Sequence, residues 1–162
     1  MATSDDRPET TQNSHAGVVA PPPLIYVAAF AAVLAGHWLW PVPILDHPAM
    51  TWGGVALLLA GVALNVWGAY SLRKARTPIN PYRATRTVVS TGAFAVSRNP
   101  LYVGLYLVFL GLSAMVNSLW GVVFLVPLLA VMHYGVIRRE ERHLEAKFGD
   151  AYRRYRERVR RY

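Results

Sequence analysis

Two stretches of this 162-residue chain set side chains able to do chemistry beside long apolar runs. The first is SRNPLYVG, residues 97–104. Asn99 is a favourable helix N-cap, and Pro100 is pre-shaped for the first helical position, where its missing N–H costs nothing. A helix is therefore expected to start here. Its free N–H groups and positive dipole end, with Arg98 beside them, suit a carboxylate or a phosphate. A capped helix with its arginine on lipid headgroups would use the same residues. The second stretch is Glu140-Glu141, directly after an apolar run. In a continuous helix His133 lies seven residues before Glu140, and Tyr134 seven before Glu141. Each pair is then expected to share a face over two turns, drawing a polar track from apolar depth to the surface. Salt bridges to Arg138, Arg139 and Arg142, each weak when exposed, are the alternative use of the two glutamates.

The chain has no cysteine, so thiolate nucleophiles, disulfides, zinc-thiolate and iron-sulfur sites are excluded. With 54% hydrophobic and only 16% charged residues it is too apolar for an ordinary soluble domain. Residues 1–20 are polar and aperiodic and run into Pro21-Pro22-Pro23, which reads as a disordered tail closed by a stiff proline segment. This tail lacks the basic start of a secretory signal. Residues 21–162 form one domain. Within it, residues 24–40, 50–70, 100–116 and 119–137 contain no Asp, Glu, Lys or Arg. A crossing helix needs roughly 17 to 25 residues, so all four qualify, the first and third narrowly. The expected fold is all-α: a polytopic membrane protein with four transmembrane helices and C-terminal amphipathic helices on the cytoplasmic face.

Four crossings put the tail, the loop at 71–99 and the C-terminal segment on one side, which then holds all 17 Lys and Arg. Basic loops favour the cytoplasm, so both termini are expected there. Fifteen arginines against two lysines fit a GC-rich bacterial genome, and so a bacterial inner membrane. Trp38, Trp40 and Trp52 flank the first hairpin as interfacial rings, with Tyr70 at the opposite interface and His37 also interfacial. Gly53, Gly54, Gly61 and Gly68 predict close helix contact, with Asn65 as polar packing glue. After residue 137, Leu144, Phe148, Tyr152, Tyr155, Val159 and Tyr162 recur every three or four residues and predict an amphipathic helix lying on the membrane, bent at Gly149-Asp150. Anionic lipid accounts for its arginines, so no nucleic-acid partner is expected.

Taken together, RNPLYVG and EERHLEAKFGDAYRRYRERV resemble the membrane-embedded methyltransferases that include isoprenylcysteine carboxyl methyltransferase and the phospholipid N-methyltransferases. Their pattern is Arg-His/Asn-Pro-x-Tyr-x-Gly before one helix, Glu-Glu-x-x-Leu after the next, then Phe-Gly-x-x-Tyr-x-x-Tyr. The match covers residues 77–162. It implies an S-adenosylmethionine cofactor at the cytoplasmic end of the last helices and a lipophilic small-molecule or lipid substrate entering from the bilayer. Carried over, Arg98, Asn99, Pro100, Tyr102 and Gly104 form one wall of the cofactor site and Glu140 and Glu141 the other, closed by Leu144, Phe148, Tyr152 and Tyr155. Asn99 stands where many members have His. The cofactor's carboxylate suits Arg98 and the helix N-terminus, its ammonium suits Glu140 or Glu141, and its sulfonium suits an aromatic face such as Tyr102. Methyl transfer needs alignment and exclusion of water rather than a metal. Arg98 and His133 are the candidates for catalytic roles, His133 as the nearest base for an amine acceptor. Arg83 and Arg86 could meet an acidic headgroup. Isoprenylcysteine carboxylate is the best-known acceptor of that family; bacteria generally lack farnesylated proteins, so another amphiphile is expected in its place, with a phospholipid amine the next option; an NADPH-dependent membrane reductase and a non-catalytic membrane binding protein are the other readings.

Overall fold

The structure, a computed structural model, describes residues 20–45, 47–77 and 87–162. The expectations for Arg83, Arg86 and all of the N-terminal tail but Ala20 lie outside these residues. Among the described residues every regular element is helical: α1 (Pro22–Leu39), α2 (Ala49–Lys74), a 3₁₀ turn (Gly92–Ala95), α3 (Pro100–Met115), α4 (Trp120–Ala130), a π-helical segment (Val131–Ile137), α5 (Arg138–Phe148) and α6 (Asp150–Arg158). Among the described residues three helices are long and apolar enough to cross a membrane: α1, α2 and the continuous helix Trp120–Phe148. α3 is apolar but has only 16 residues. At 1.5 Å per residue that is about 24 Å, short of a hydrocarbon layer of about 30 Å. Of the four expected spans, three therefore reach full length and the fourth is a shorter apolar helix.

Glycine decides how α2 and α3 pack. A Cβ on Gly54 would lie 2.7 Å from the Gly111 carbonyl oxygen, and one on Gly61 would lie 2.6 Å from that of Gly104. One on Gly68 would lie 2.8 Å from the Leu101 side chain. The seven-residue spacing on both helices makes one antiparallel seam of backbone against backbone. In a chain surrounded by lipid, such close approach supplies the attraction that water exclusion cannot. Gly53 has nothing within 4 Å, so it does not belong to the seam. Asn65 donates to the Gly61 carbonyl at 2.9 Å and fills the space beside Gly104. α1 and α4 cover the other side of α3, where Val33, Phe109, Leu128, Met132, Val136 and Ile137 make the core.

The two ends of the bundle differ in kind. At one end Asn117, in a left-handed turn with φ +52°, accepts from the Ile44 and Leu45 N–H groups at 3.0 and 3.1 Å and donates to the Leu45 carbonyl. Leu119 N–H donates to the Val42 carbonyl, and the Trp120 indole to that of Trp40. Trp38, Trp40 and Trp52 stand exposed here. The other end carries Arg73 and Lys74 on the last turn of α2 and the arginines of α5 and α6. α3 begins level with Gly68, six residues before Lys74, so its N-terminus sits about 9 Å below the end of α2. The loop leading to it tucks into that step: Gly92 (φ +62°) packs on Ser71, whose hydroxyl accepts the Ala93 N–H at 3.2 Å.

Candidate active site

The start of α3 is held by the last residues of the chain. Arg98 N–H donates to the Arg160 carbonyl at 2.9 Å. The Ser97 hydroxyl and the Asn99 side-chain amide both donate to the Arg161 carbonyl at 3.1 Å. Pro100 occupies the helix start as expected. Asn99 sits at the cap position, but its side chain does not cap the helix. The amide is spent on the C-terminal segment instead, a long-range partner that outcompetes the local bond. Asn99 is buried with Ser97, which accepts its backbone N–H at 3.0 Å.

This clamp brings the two chemical stretches together. Glu141 is buried and accepts Arg161 through two bonds, Nε at 3.0 Å and Nη2 at 2.7 Å, while Arg98 Nη1 stands 3.5 Å from Oε1. The fork geometry is the strong form of a charged pair. It also raises the Arg161 pKa above its ordinary value. The Arg98 side chain is only 9% exposed, yet its Nε and Nη1 have no hydrogen-bond partner. The Nη1 group keeps the 3.5 Å ion-pair contact to Glu141 and the guanidinium also bonds Tyr152, so this buried cation is held but not fully hydrogen-bonded. Glu140 accepts the Tyr102 hydroxyl at 2.7 Å. It lies beyond the apolar run that ends at Ile137, and burial pushes its carboxyl up to about 7, aided by Glu141 and opposed by the Tyr102 bond.

The polar track expected along the last helix is not continuous. Glu141 is buried, whereas Tyr134 is 62% exposed, so they do not share a face. Pro127 removes an N–H from α4, and the wider π-helical turns of Val131–Ile137 follow it. These turns shift the register on which the seven-residue spacing relied. Tyr134 turns instead to the Arg138 guanidinium, 5.7 Å from its ring. His133 Nδ1 lies 2.8 Å from the Tyr162 hydroxyl. The expected bridges from Arg138 and Arg142 give way as well, because Glu141 takes Arg98 and Arg161, and Arg142 bonds the Arg138 carbonyl of its own helix.

The remaining expected site residues divide. α5 ends at Gly149, where φ +50° and ψ −122° give a backbone open to glycine, and the chain turns back as α6. The bend is where the sequence put it, although Asp150 acts as the first residue of α6 and an Arg153 partner rather than as its cap. α6 buries Tyr152 and Tyr155 against the loop before α3, with the Tyr155 hydroxyl on the Phe94 carbonyl at 2.8 Å. These phenols thus face protein where the sequence placed the stripe on a membrane, because the loop offers the Tyr155 hydroxyl an acceptor and Arg98 meets Tyr152. Burial pushes the Tyr152 phenol up to about 12. Leu144 and Phe148 are half-buried. Gly104 serves the seam with α2, and Pro100 is fully buried near Gly68. Sequence reasoning missed Arg161. It is one arginine among many near the C-terminus, and only the fold selects it.

A family profile described as phospholipid methyltransferase matches residues 49–151. The chain belongs to that family. Two curated relatives are similar to it. The cobalt-zinc-cadmium resistance protein CzcN of Cupriavidus metallidurans is 31% identical over 125 residues, 77% of this chain and 54% of its own length. The nickel-cobalt-cadmium resistance protein NccN of Alcaligenes xylosoxydans xylosoxydans is 28% identical over 117 residues, 72% of this chain and 51% of its own. The chain thus spans about half the length of these relatives. No solved structure matches it. Their names speak of metals, and among the described residues of this phospholipid methyltransferase family member no three His, Asp or Glu side chains stand together as metal ligands.

Proposed function

We propose that the chain transfers a methyl group from S-adenosylmethionine to a lipophilic acceptor at a membrane surface. The observation that carries this reading is the buried Arg98 at the start of α3, its Nε without a hydrogen-bond partner and its Nη1 only 3.5 Å from Glu141, with Tyr102, one turn further along, bonding Glu140. A zwitterionic amino-acid group fits there: its carboxylate on Arg98 and the positive end of α3, its ammonium on Glu140. When bound, the cofactor supplies an electrophilic methyl on a cationic sulfur, and the acceptor's lone pair forms the new bond as the carbon–sulfur bond breaks to leave a neutral thioether.

The chain's own residues bind, orient and shield. Tyr102 holds Glu140 in place, and Tyr152 and Tyr155 close the charged cluster from outside, limiting the access of water. The acceptor reaches the site from the bilayer, because α3 starts below the end of α2 and so lowers the cluster toward the apolar zone. A carboxylate acceptor, as in isoprenylcysteine, needs no base. The family's phospholipid description favours an amine acceptor as the second reading, and His133, paired with the Tyr162 hydroxyl, is then the group placed to take the proton. The protein is integral to a membrane, with the arginine-rich end and both termini on the cytoplasmic side of a bacterial inner membrane. The test is to incubate membranes with methyl-labelled S-adenosylmethionine, with and without the protein. A labelled lipid-soluble product that requires the protein supports the reading, and no such product refutes it.

A further inference from the structure

Glu141 has two cations beside it. Arg161 bonds both of its oxygens, at 3.0 and 2.7 Å, and Arg98 stands 3.5 Å from Oε1. Two guanidinium groups thus share one carboxylate, with the Arg98 and Glu141 side chains only 9% and 10% exposed. Arg98 is the less satisfied of the two: its Nε has no hydrogen-bond partner, its Nη1 keeps only the 3.5 Å ion-pair contact, and the guanidinium is otherwise held by Tyr152. If Arg161 were absent, the same carboxylate would be open to Arg98, and a two-bond pair would consume those N–H groups.

We propose that Arg161 is a positioning residue: by occupying Glu141 it keeps Arg98 free to take an external carboxylate. This rests on the cofactor reading above and divides the two glutamates, Glu140 serving the ligand's cation and Glu141 serving only to fix the arginines. The arrangement survives loss of the Arg161 charge, because the segment is tied down through its backbone. The Arg161 carbonyl accepts from Ser97 and Asn99, and the Arg160 carbonyl from the Arg98 N–H. Arg161→Gln keeps those bonds and removes the guanidinium.

The test compares two ligands that differ in one group: S-adenosylhomocysteine, and the 3-aminopropyl thioether of adenosine, which lacks only the carboxylate. Titration of the purified full chain should show the parent preferring S-adenosylhomocysteine. Arg161→Gln should cut that preference by about 10- to 100-fold, the value of a charged hydrogen-bonded pair, with affinity for the aminopropyl compound unchanged. Adding Glu141→Gln to Arg161→Gln should restore the preference, since Arg98 then has no internal rival. Equal weakening of both ligands, or no restoration in the double variant, overturns the proposal and makes Arg161 a plain structural residue. Tighter S-adenosylhomocysteine binding by Arg161→Gln also overturns it, identifying Arg161 as a plug on Glu141. A parent that binds neither ligand refutes the cofactor reading itself and this proposal with it, whereas a discriminating parent with an equally discriminating Arg161→Gln refutes this proposal alone.

Discussion

Replacing Glu140 by Gln should change how the stability of this protein depends on pH. The Glu140 carboxyl is pushed up from 4.5 to about 7, first by burial and then by the Glu141 charge. Between those pH values the folded chain holds a proton that the unfolded chain has released, so folding is favoured at the acid end. The contribution is full below 4.5 and is lost as pH rises through 7. A difference of about 2.5 pH units, at about 1.4 kcal/mol each, sets an upper value of about 3.5 kcal/mol. For a chain of this length that is roughly 7–14 °C in melting temperature. Circular dichroism melts in detergent at pH 5 and pH 8 measure it. The parent should lose several degrees more than Glu140→Gln over that interval, and the variant should be the more stable of the two at pH 8. Ligand binding should run the other way, because a cationic group needs the ionised carboxylate: affinity for S-adenosylhomocysteine should rise through pH 7 in the parent and stay flat in the variant. Identical pH slopes for the two proteins would refute the buried-carboxyl argument.

Gly61→Ala should destabilise by about 1–3 kcal/mol, since its Cβ would lie 2.6 Å from the Gly104 carbonyl oxygen, whereas Gly53→Ala, with open space around it, should be neutral or stabilise by up to about 1 kcal/mol; paired thermal melts check both. Asn117→Ala gives up a tolerated φ of +52° and three bonds to Ile44 and Leu45 and should cost about 1–3 kcal/mol by the same assay. Gly149→Ala should cost about 1–3 kcal/mol through backbone strain alone, as no atom lies within 4 Å of the added Cβ. Because Gly149 sets the turn that returns α6 to the site, this variant should also bind S-adenosylhomocysteine more weakly in a titration at a temperature where it remains folded.

The parts of the fold legible in the sequence are those set by composition and short spacings. Apolar length marked the helices, the small residues Gly54, Gly61 and Gly68 marked a close helix contact though not its partner, Pro100 marked the start of α3, and Gly149 marked the turn into α6. The family resemblance implied that Arg98 and Glu141 meet, and they stand 3.5 Å apart. What the sequence hid depends on partners distant along the chain. Asn99 has the right chemistry for a cap, but a carbonyl 62 residues away takes its amide. The π-helical turns after Pro127 move Tyr134 off the face of Glu141, and no local residue pattern announces that insertion. The stripe Tyr152-Tyr155 has the same periodicity whether it meets lipid or protein, and only the Phe94 carbonyl decides between them.

The central claim is that Arg98 and Glu140 hold the two charges of one S-adenosyl cofactor. Equilibrium titration of the purified protein in lipid nanodiscs with S-adenosylhomocysteine and with NADPH tests it most directly, alongside Arg98→Ala and Glu140→Gln. The account predicts saturable binding of S-adenosylhomocysteine alone, weakened about tenfold or more by either substitution in proteins that melt like the parent. Binding of NADPH instead, or S-adenosylhomocysteine binding unaffected by both substitutions, would contradict it.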